Sequence, residues 1–238
     1  MNNKLTPSEL VLKAAITGHM KGVNTSVPGH VVAFDPATQR AQVQIGVIRV
    51  QTDGTTFEPP VIVDVPVSFP GDDFVLEFEI NPGCEGDIHF SQRNIDGWKQ
   101  SGGVADNPSA RFHHLQDAKF IPGIRSLGNV IQDFSNDGIR IRDKSGTRHV
   151  WLKNDETLHV SNGKSSTVHG ADGSVTTSNG SGYHTLLPDG TVDINGVKIT
   201  PDGQITVPAG GGITGANGVS YDTHRHDETG TITGEPRE

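Results

Sequence analysis

At 238 residues the chain is long enough for one or two domains, yet its apolar content is 32%, with 30 glycines and only two each of Tyr, Trp and Met. Such a chain builds one modest core, and the remainder must be elongated, repetitive or dependent on other copies. The net charge of −9 and the lack of any Lys/Arg cluster longer than a pair exclude nucleic acid as a partner. The single cysteine, Cys84, rules out an intramolecular disulfide and a multi-cysteine zinc site, and no run of about 18 apolar residues is present to span a membrane.

The first residues lack the basic start and apolar run of a signal peptide, so a soluble chain is expected. Thr6-Pro7-Ser8-Glu9 predicts a helix start: a capping Thr, a Pro at the first helical position and a Glu three residues on. Leu10, Val11, Ala14 and Ala15 give it a short apolar stripe, and Gly18 or Gly22 ends it. Residues 1–26 form this arm.

Residues 27–128 read as a compact β domain. Strands are expected over Val27–Phe34, over Arg40–Ile45 with period-two alternation, over Pro60–Val67 as an edge, over Phe74–Ile80 and over Gly86–Phe90. Five short strands joined by tight turns fit a small barrel of the OB type.

Residues 129–209 change character. Asp-Gly, Asn-Gly and Ser-Gly turns, with Asn154-Asp155 in the same series, recur every 6 to 10 residues, from Asp137-Gly138 to Asp202-Gly203. Between them lie short strands with paired apolar positions: Ile139 and Ile141, Leu158 and Val160, Val192 and Ile194, Val197 and Ile199, Ile205 and Val207. One or two large apolar residues per strand cannot fill a single-chain solenoid, and residues 161–182 offer only Val168 and Val175. Three chains pooling one inward residue each would fill a narrow axis, so an all-β, intertwined trimeric β-helix is the expected architecture.

Residues 210–238 form a small apex that carries Thr223-His224-Arg225-His226. Side chains two apart on a strand share a face, so His224 and His226 make half of a metal site. Three chains on a three-fold axis would supply six imidazole nitrogens, an octahedral set suited to iron, nickel or copper and disfavoured for zinc. Such a closed site leaves no open position, so it would be structural. Other candidates are weaker. His113-His114 are adjacent and would point to opposite faces, and Cys84 has only His89 near it in sequence. His149, His159, His169 and His184 are scattered through the shaft strands, where any that face the axis would form three-fold rings. No phosphate loop, dinucleotide fingerprint or nucleophile elbow is present, so no enzyme is expected.

Several stretches resemble the central spike proteins of contractile-tail phages. The N-terminal likeness rests on Val27-Pro28-Gly29-His30-Val31-Val32, on Asp64-Val65-Pro66-Val67, on Asn81-Pro82-Gly83-Cys84-Glu85-Gly86-Asp87 with Asn94-Ile95-Asp96-Gly97-Trp98, and on Arg111-Phe112-His113-His114-Leu115-Gln116-Asp117-Ala118. Thr223-His224-Arg225-His226 and Thr233-Gly234-Glu235-Pro236 resemble the family's apex, closest to the membrane-piercing spike of the phi92 type, related in plan to the P2 and Mu baseplate spikes. The resemblance implies an OB-fold collar docked on the baseplate hub and tail tube, a trimeric shaft with other buried ions possible, and a tip in which His224 and His226 of three chains hold one iron. It implies a virion protein at the tip of the tail that contacts the host outer membrane, without hydrolase activity. The rival reading is a trimeric receptor-binding fibre, which asks for exposed aromatics near the tip, where residues 208–238 hold only Tyr221. A metal-dependent oxygenase would need a third protein ligand and open positions at the metal.

Overall fold

The computed structural model describes residues 6–51, 53–216, 218–221, 227–228 and 231–232. They fall into two compact units, Met1–Val130 and Ile131–Glu238. The structure is all-β with few helices, and no helix among the described residues is long and apolar enough to cross a membrane.

Helix α1 (Pro7–Lys21) starts as its sequence predicts. The Thr6 hydroxyl accepts from the Glu9 N–H, and the Glu9 carboxylate accepts from the Thr6 N–H at 2.6 Å. It runs through Gly18 and ends at Gly22. None of its residues is buried, so the stripe of Leu10 and Val11 packs on nothing within the unit.

The core of the first unit is a five-stranded antiparallel sheet. Its strands are β1 (Ser26–Asp35), β2 (Arg40–Ile45), β5 (Ile62–Pro66), β6 (Glu85–Phe90) and β7 (Ala118–Pro122), in the order β5-β2-β1-β6-β7. A small hairpin, β3 (Arg49–Val50) with β4 (Thr56–Phe57), lies between β2 and β5 in the chain. Two register shifts bend the sheet. One falls between Val31 and Ala33 of β1, the other between Ala41 and Val43 of β2, facing the extra residues Val63 and Asp64. Bulges increase local twist and curl a sheet, and here they produce a half-barrel. Its far edges meet through a parallel bridge, Val67 to Phe120, and the Ser68 N–H donates to the Phe120 carbonyl at 2.9 Å.

Val31, Val43, Val65, Ile88 and Phe120 are fully buried in its concave face. Gly29 and Gly86 sit opposite one another on β1 and β6. A Cβ on Gly86 would lie 2.3 Å from the Ile121 carbonyl and 2.6 Å from the Phe120 ring, so the absent side chain is what lets Phe120 pack there.

One expected strand is missing. Phe74–Ile80 alternates strongly yet joins no sheet; it makes a single bridge, Gly71 to Val75. The Leu76 N–H donates to the Pro70 carbonyl, Phe78 packs on Phe69 with ring centroids 5.2 Å apart, and Ile80 enters the core. Of its alternating apolar positions only Ile80 is buried, while Leu76 and Phe78 stay exposed. Phe74 at its tip remains 93% exposed.

The second unit is one nine-stranded antiparallel sheet in which every strand pairs with its sequence neighbours. The strands are β8 (Ile139–Arg142), β9 (Arg148–Leu152), β10 (Leu158–Asn162), β11 (Ser166–His169), β12 (Val175–Ser178), β13 (Tyr183–Leu186), β14 (Val192–Ile194), β15 (Val197–Ile199) and β16 (Ile205–Thr206). The recurrent turns join them as the sequence predicts, with Gly in each except that between β9 and β10, where Glu156 takes φ +66. Gly138 leads into the first, with φ +82, and a Cβ there would meet the Leu152 carbonyl at 1.9 Å. Two short strands, β17 (Asp227–Glu228) and β18 (Thr231–Ile232), pair near the end of the chain.

Candidate functional site

The ladder registers of the second unit sort its side chains into two faces, because directly opposed residues and residues two apart share a side. One face carries a row of Ile139, Leu152, Leu158, His169, Val175, Leu186, Val192, Ile199 and Ile205. Beside it runs a second row of Ile141, Val150, Val160, Thr167, Thr177, His184, Ile194 and Val197. Neither row holds a Lys, Arg, Asp or Glu, and each holds one histidine. The strand positions Arg140, Arg142, Asp193 and Lys198 lie on the opposite face, whereas Arg148, at the start of β9, shares the side of Val150 and Leu152.

The polar face is already occupied by its own side chains. Arg140, Trp151 and His159 line up across β8, β9 and β10. The Arg140 guanidinium sits 4.6 Å from the Trp151 ring centroid and the Lys153 ammonium 5.3 Å from it. The indole N–H donates to the Asp137 carbonyl. Arg142 donates to the carbonyls of Asp133, Asp143 and Lys144 at 3.0–3.1 Å. His149 bonds the Gly146 carbonyl, and His159 bonds the Thr157 hydroxyl. Further along, the hydrogen bond from Tyr183 to Asp193 pushes the phenol pKa up.

The apolar face has no such cover. Ile139, Ile141, Val150, Leu152 and Ile205 are exposed, and every buried apolar residue among those described belongs to the first unit. An exposed apolar face of this extent beside a polar face filled by its own side chains is the pattern of an interaction surface.

The histidines therefore divide. His149 and His159 belong to the polar face, whereas His169 and His184 stand among the apolar rows. His224 and His226 lie outside the described residues. Among the described residues no three His, Cys, Asp or Glu side chains come together in one chain to hold a metal.

In the first unit the conspicuous sequence motifs meet in a lock. Arg111 donates to both oxygens of Asp117, at 3.0 and 3.2 Å, and to Asp96 at 2.5 Å. Asp117 is fully buried and also accepts from the Ile95 N–H. The Arg111 hydrogen bond holds the Asp96 carboxyl below its usual range, and Asp117 and Asp96 together raise the Arg111 guanidinium. This network ties the 94–98 stretch to the 111–117 stretch. Sequence reading flagged both stretches without showing that one buried ion pair joins them.

His113 and His114 are not on a strand. His113 has φ +48 and bonds the Asn24 carbonyl through Nδ1, while Nδ1 of His114 accepts from the Gln116 N–H. Cys84 is half-buried, and burial pushes its thiol up, against nucleophilic use. His89, its nearest histidine in sequence, pairs with Asp87 at 2.8 Å.

Residues 27–123 match the family described as phage protein Gp138 N-terminal domain. The match starts within β1 and ends just after β7, so it takes in the whole half-barrel. It supports a phage protein with a structural role in the virion. No curated protein matches the chain.

Proposed function

We propose, from a phage protein domain joined in sequence to a sheet with one bare apolar face, that the chain is the central spike of a contractile tail. In this reading three copies form a spike at the tip of the baseplate that pierces the host outer membrane as the sheath contracts. The observation that carries it is the apolar face, on which Arg148 at one end of β9 is the one Lys, Arg, Asp or Glu among the strand positions, of a unit that buries no apolar residue of its own among those described. Such a sheet gains its core only from other copies, and three copies closing on an axis bury all three faces at once.

Several features fit the parts of that plan. The strand order β5-β2-β1-β6-β7, with the Val67 to Phe120 bridge between its ends, is what a closed five-stranded OB barrel requires, as expected of a collar on the baseplate hub. The nine-stranded sheet supplies the shaft. His224 and His226 of three chains would hold one iron at the tip, and its role would be to pin three chain ends that otherwise fray. The spike is structural, without catalysis. A receptor-binding fibre remains the second reading because it shares the trimeric β architecture.

Sedimentation equilibrium and elemental mass spectrometry on untagged protein test this together. The expected result is a particle of three 25.3 kDa chains with one iron per particle, lost in His224→Ala or His226→Ala. A monomer sinks the spike and the fibre alike; a trimer whose tip holds no iron leaves the fibre.

A further inference from the structure

The apolar face of the nine-stranded sheet has a polar interruption. On β11, β12 and β13 its two rows hold Thr167, His169, Thr177 and His184, with only Val175 and Leu186 between. The Thr167 and Thr177 hydroxyls pair at 3.2 Å. His184 lies directly across from Thr177 on one side and Ile194 on the other. Neither the His169 nor the His184 imidazole has a hydrogen-bond partner among the described residues, and both residues are exposed in the single chain.

An imidazole on a face that becomes covered must find a partner for its ring nitrogens. No carboxylate stands in either row to provide one. What the covered face does bring to His184 is His184 of the other copies. We propose that His184 from three chains forms a second metal site, inside the shaft and separate from the tip, that takes one divalent transition-metal ion. This rests on the trimeric reading above.

Three neutral imidazoles are a complete protein ligand set for a four-coordinate ion such as zinc, with water in the remaining position. They suit zinc, copper, nickel and cobalt and offer nothing to calcium or magnesium, which take oxygen ligands. Thr177, opposite His184, supplies a hydroxyl for that water, and the Thr167 hydroxyl orients Thr177 in turn, as outer-shell groups around metals do. His169 stands between Leu158 and Val175 without a hydroxyl directly across from it, so His184 is the ligand.

The test uses the full chain carrying His224→Ala and His226→Ala, so that the tip pair cannot supply an ion. Stripped protein is loaded with Co2+ and separated from free metal, and metal per sedimenting particle is measured with the visible spectrum. The expected result is one Co2+ per three chains with the intense bands of a four-coordinate nitrogen site. Both should be lost in His184→Ala and in His184→Gln, the second keeping a polar group that packs more conservatively, and kept in His169→Ala. Cobalt retained by trimeric His184→Gln, or lost with His169→Ala instead, overturns the assignment, as does a trimer that takes up no cobalt. A particle smaller than three chains before any change at His184 overturns the trimeric reading first.

Discussion

At the scale of single residues, the turns and the buried ion pair set the sensitivities. Asp35, Asp53, Asp172 and Asp189 each accept from a hydroxyl or N–H two or three residues on, and each carboxyl is held below its usual range by those bonds. Burial works against Asp143, yet hydrogen bonds from Ser145 and Arg148 bring it down to about 2. A depressed carboxyl contributes stability that is complete above its unfolded value, 3.8 for Asp143, and is lost as pH falls through the folded one. The protein should therefore lose stability in acid between roughly pH 4 and pH 2, and a thermal melt series across that range checks it; a flat melting temperature contradicts it. The Arg111 lock predicts more. Arg111→Met takes the ion-pair partner from Asp117 in a fully buried position, at a cost of about 3–5 kcal/mol, measurable by urea unfolding. The motifs around residues 94–98 and 111–117 were visible in sequence, but their pairing was not, because a contact between loops leaves no periodic trace.

At the scale of elements, what could be read and what could not follow from locality. The capping box of α1 and strand β2 came out of the sequence to the residue, since both depend on neighbours within four positions. Phe74–Ile80 did not, because period two names a side that wants burial and says nothing about a hydrogen-bond partner. The same limit hid the sorting of the four histidines of the second unit: which side they share follows from register, and register is a relation between strands. Two substitutions probe these elements. Gly86→Ala forces a Cβ against the Phe120 ring and the Ile121 carbonyl, an overpacking that should cost about 1–3 kcal/mol in the first unit. Ile194→Lys puts a charge on the apolar face, whereas Thr185→Lys puts it on the polar one. The first should abolish association and the second should leave it intact, as read by size-exclusion chromatography with light scattering. Equal behaviour of the two would mean that the apolar face is not the interface.

At the scale of the molecule, the two units hold together by different means. The first has a core, Phe120 and Ile88 among its fully buried residues, and should unfold independently of concentration. The second buries no apolar residue of its own among those described, and in the proposed trimer its stability is tied to association. The melting temperature of the sheet should rise with protein concentration while that of the half-barrel stays fixed. Trp98 lies in the first unit and Trp151 in the second, so single-tryptophan variants report the two transitions by fluorescence.

The meander order of the nine strands has a kinetic consequence. Every ladder from β8 to β16 joins segments adjacent in the chain, so no long loop must close before pairing begins. Low contact order of this kind favours rapid local zipping, and the slow step is then the encounter of chains, which is concentration-dependent. Refolding of the second unit should follow higher-order kinetics, its half-time shortening as the protein is made more concentrated. A virus that produces many copies in one cell would thereby finish the part only once enough of it has accumulated.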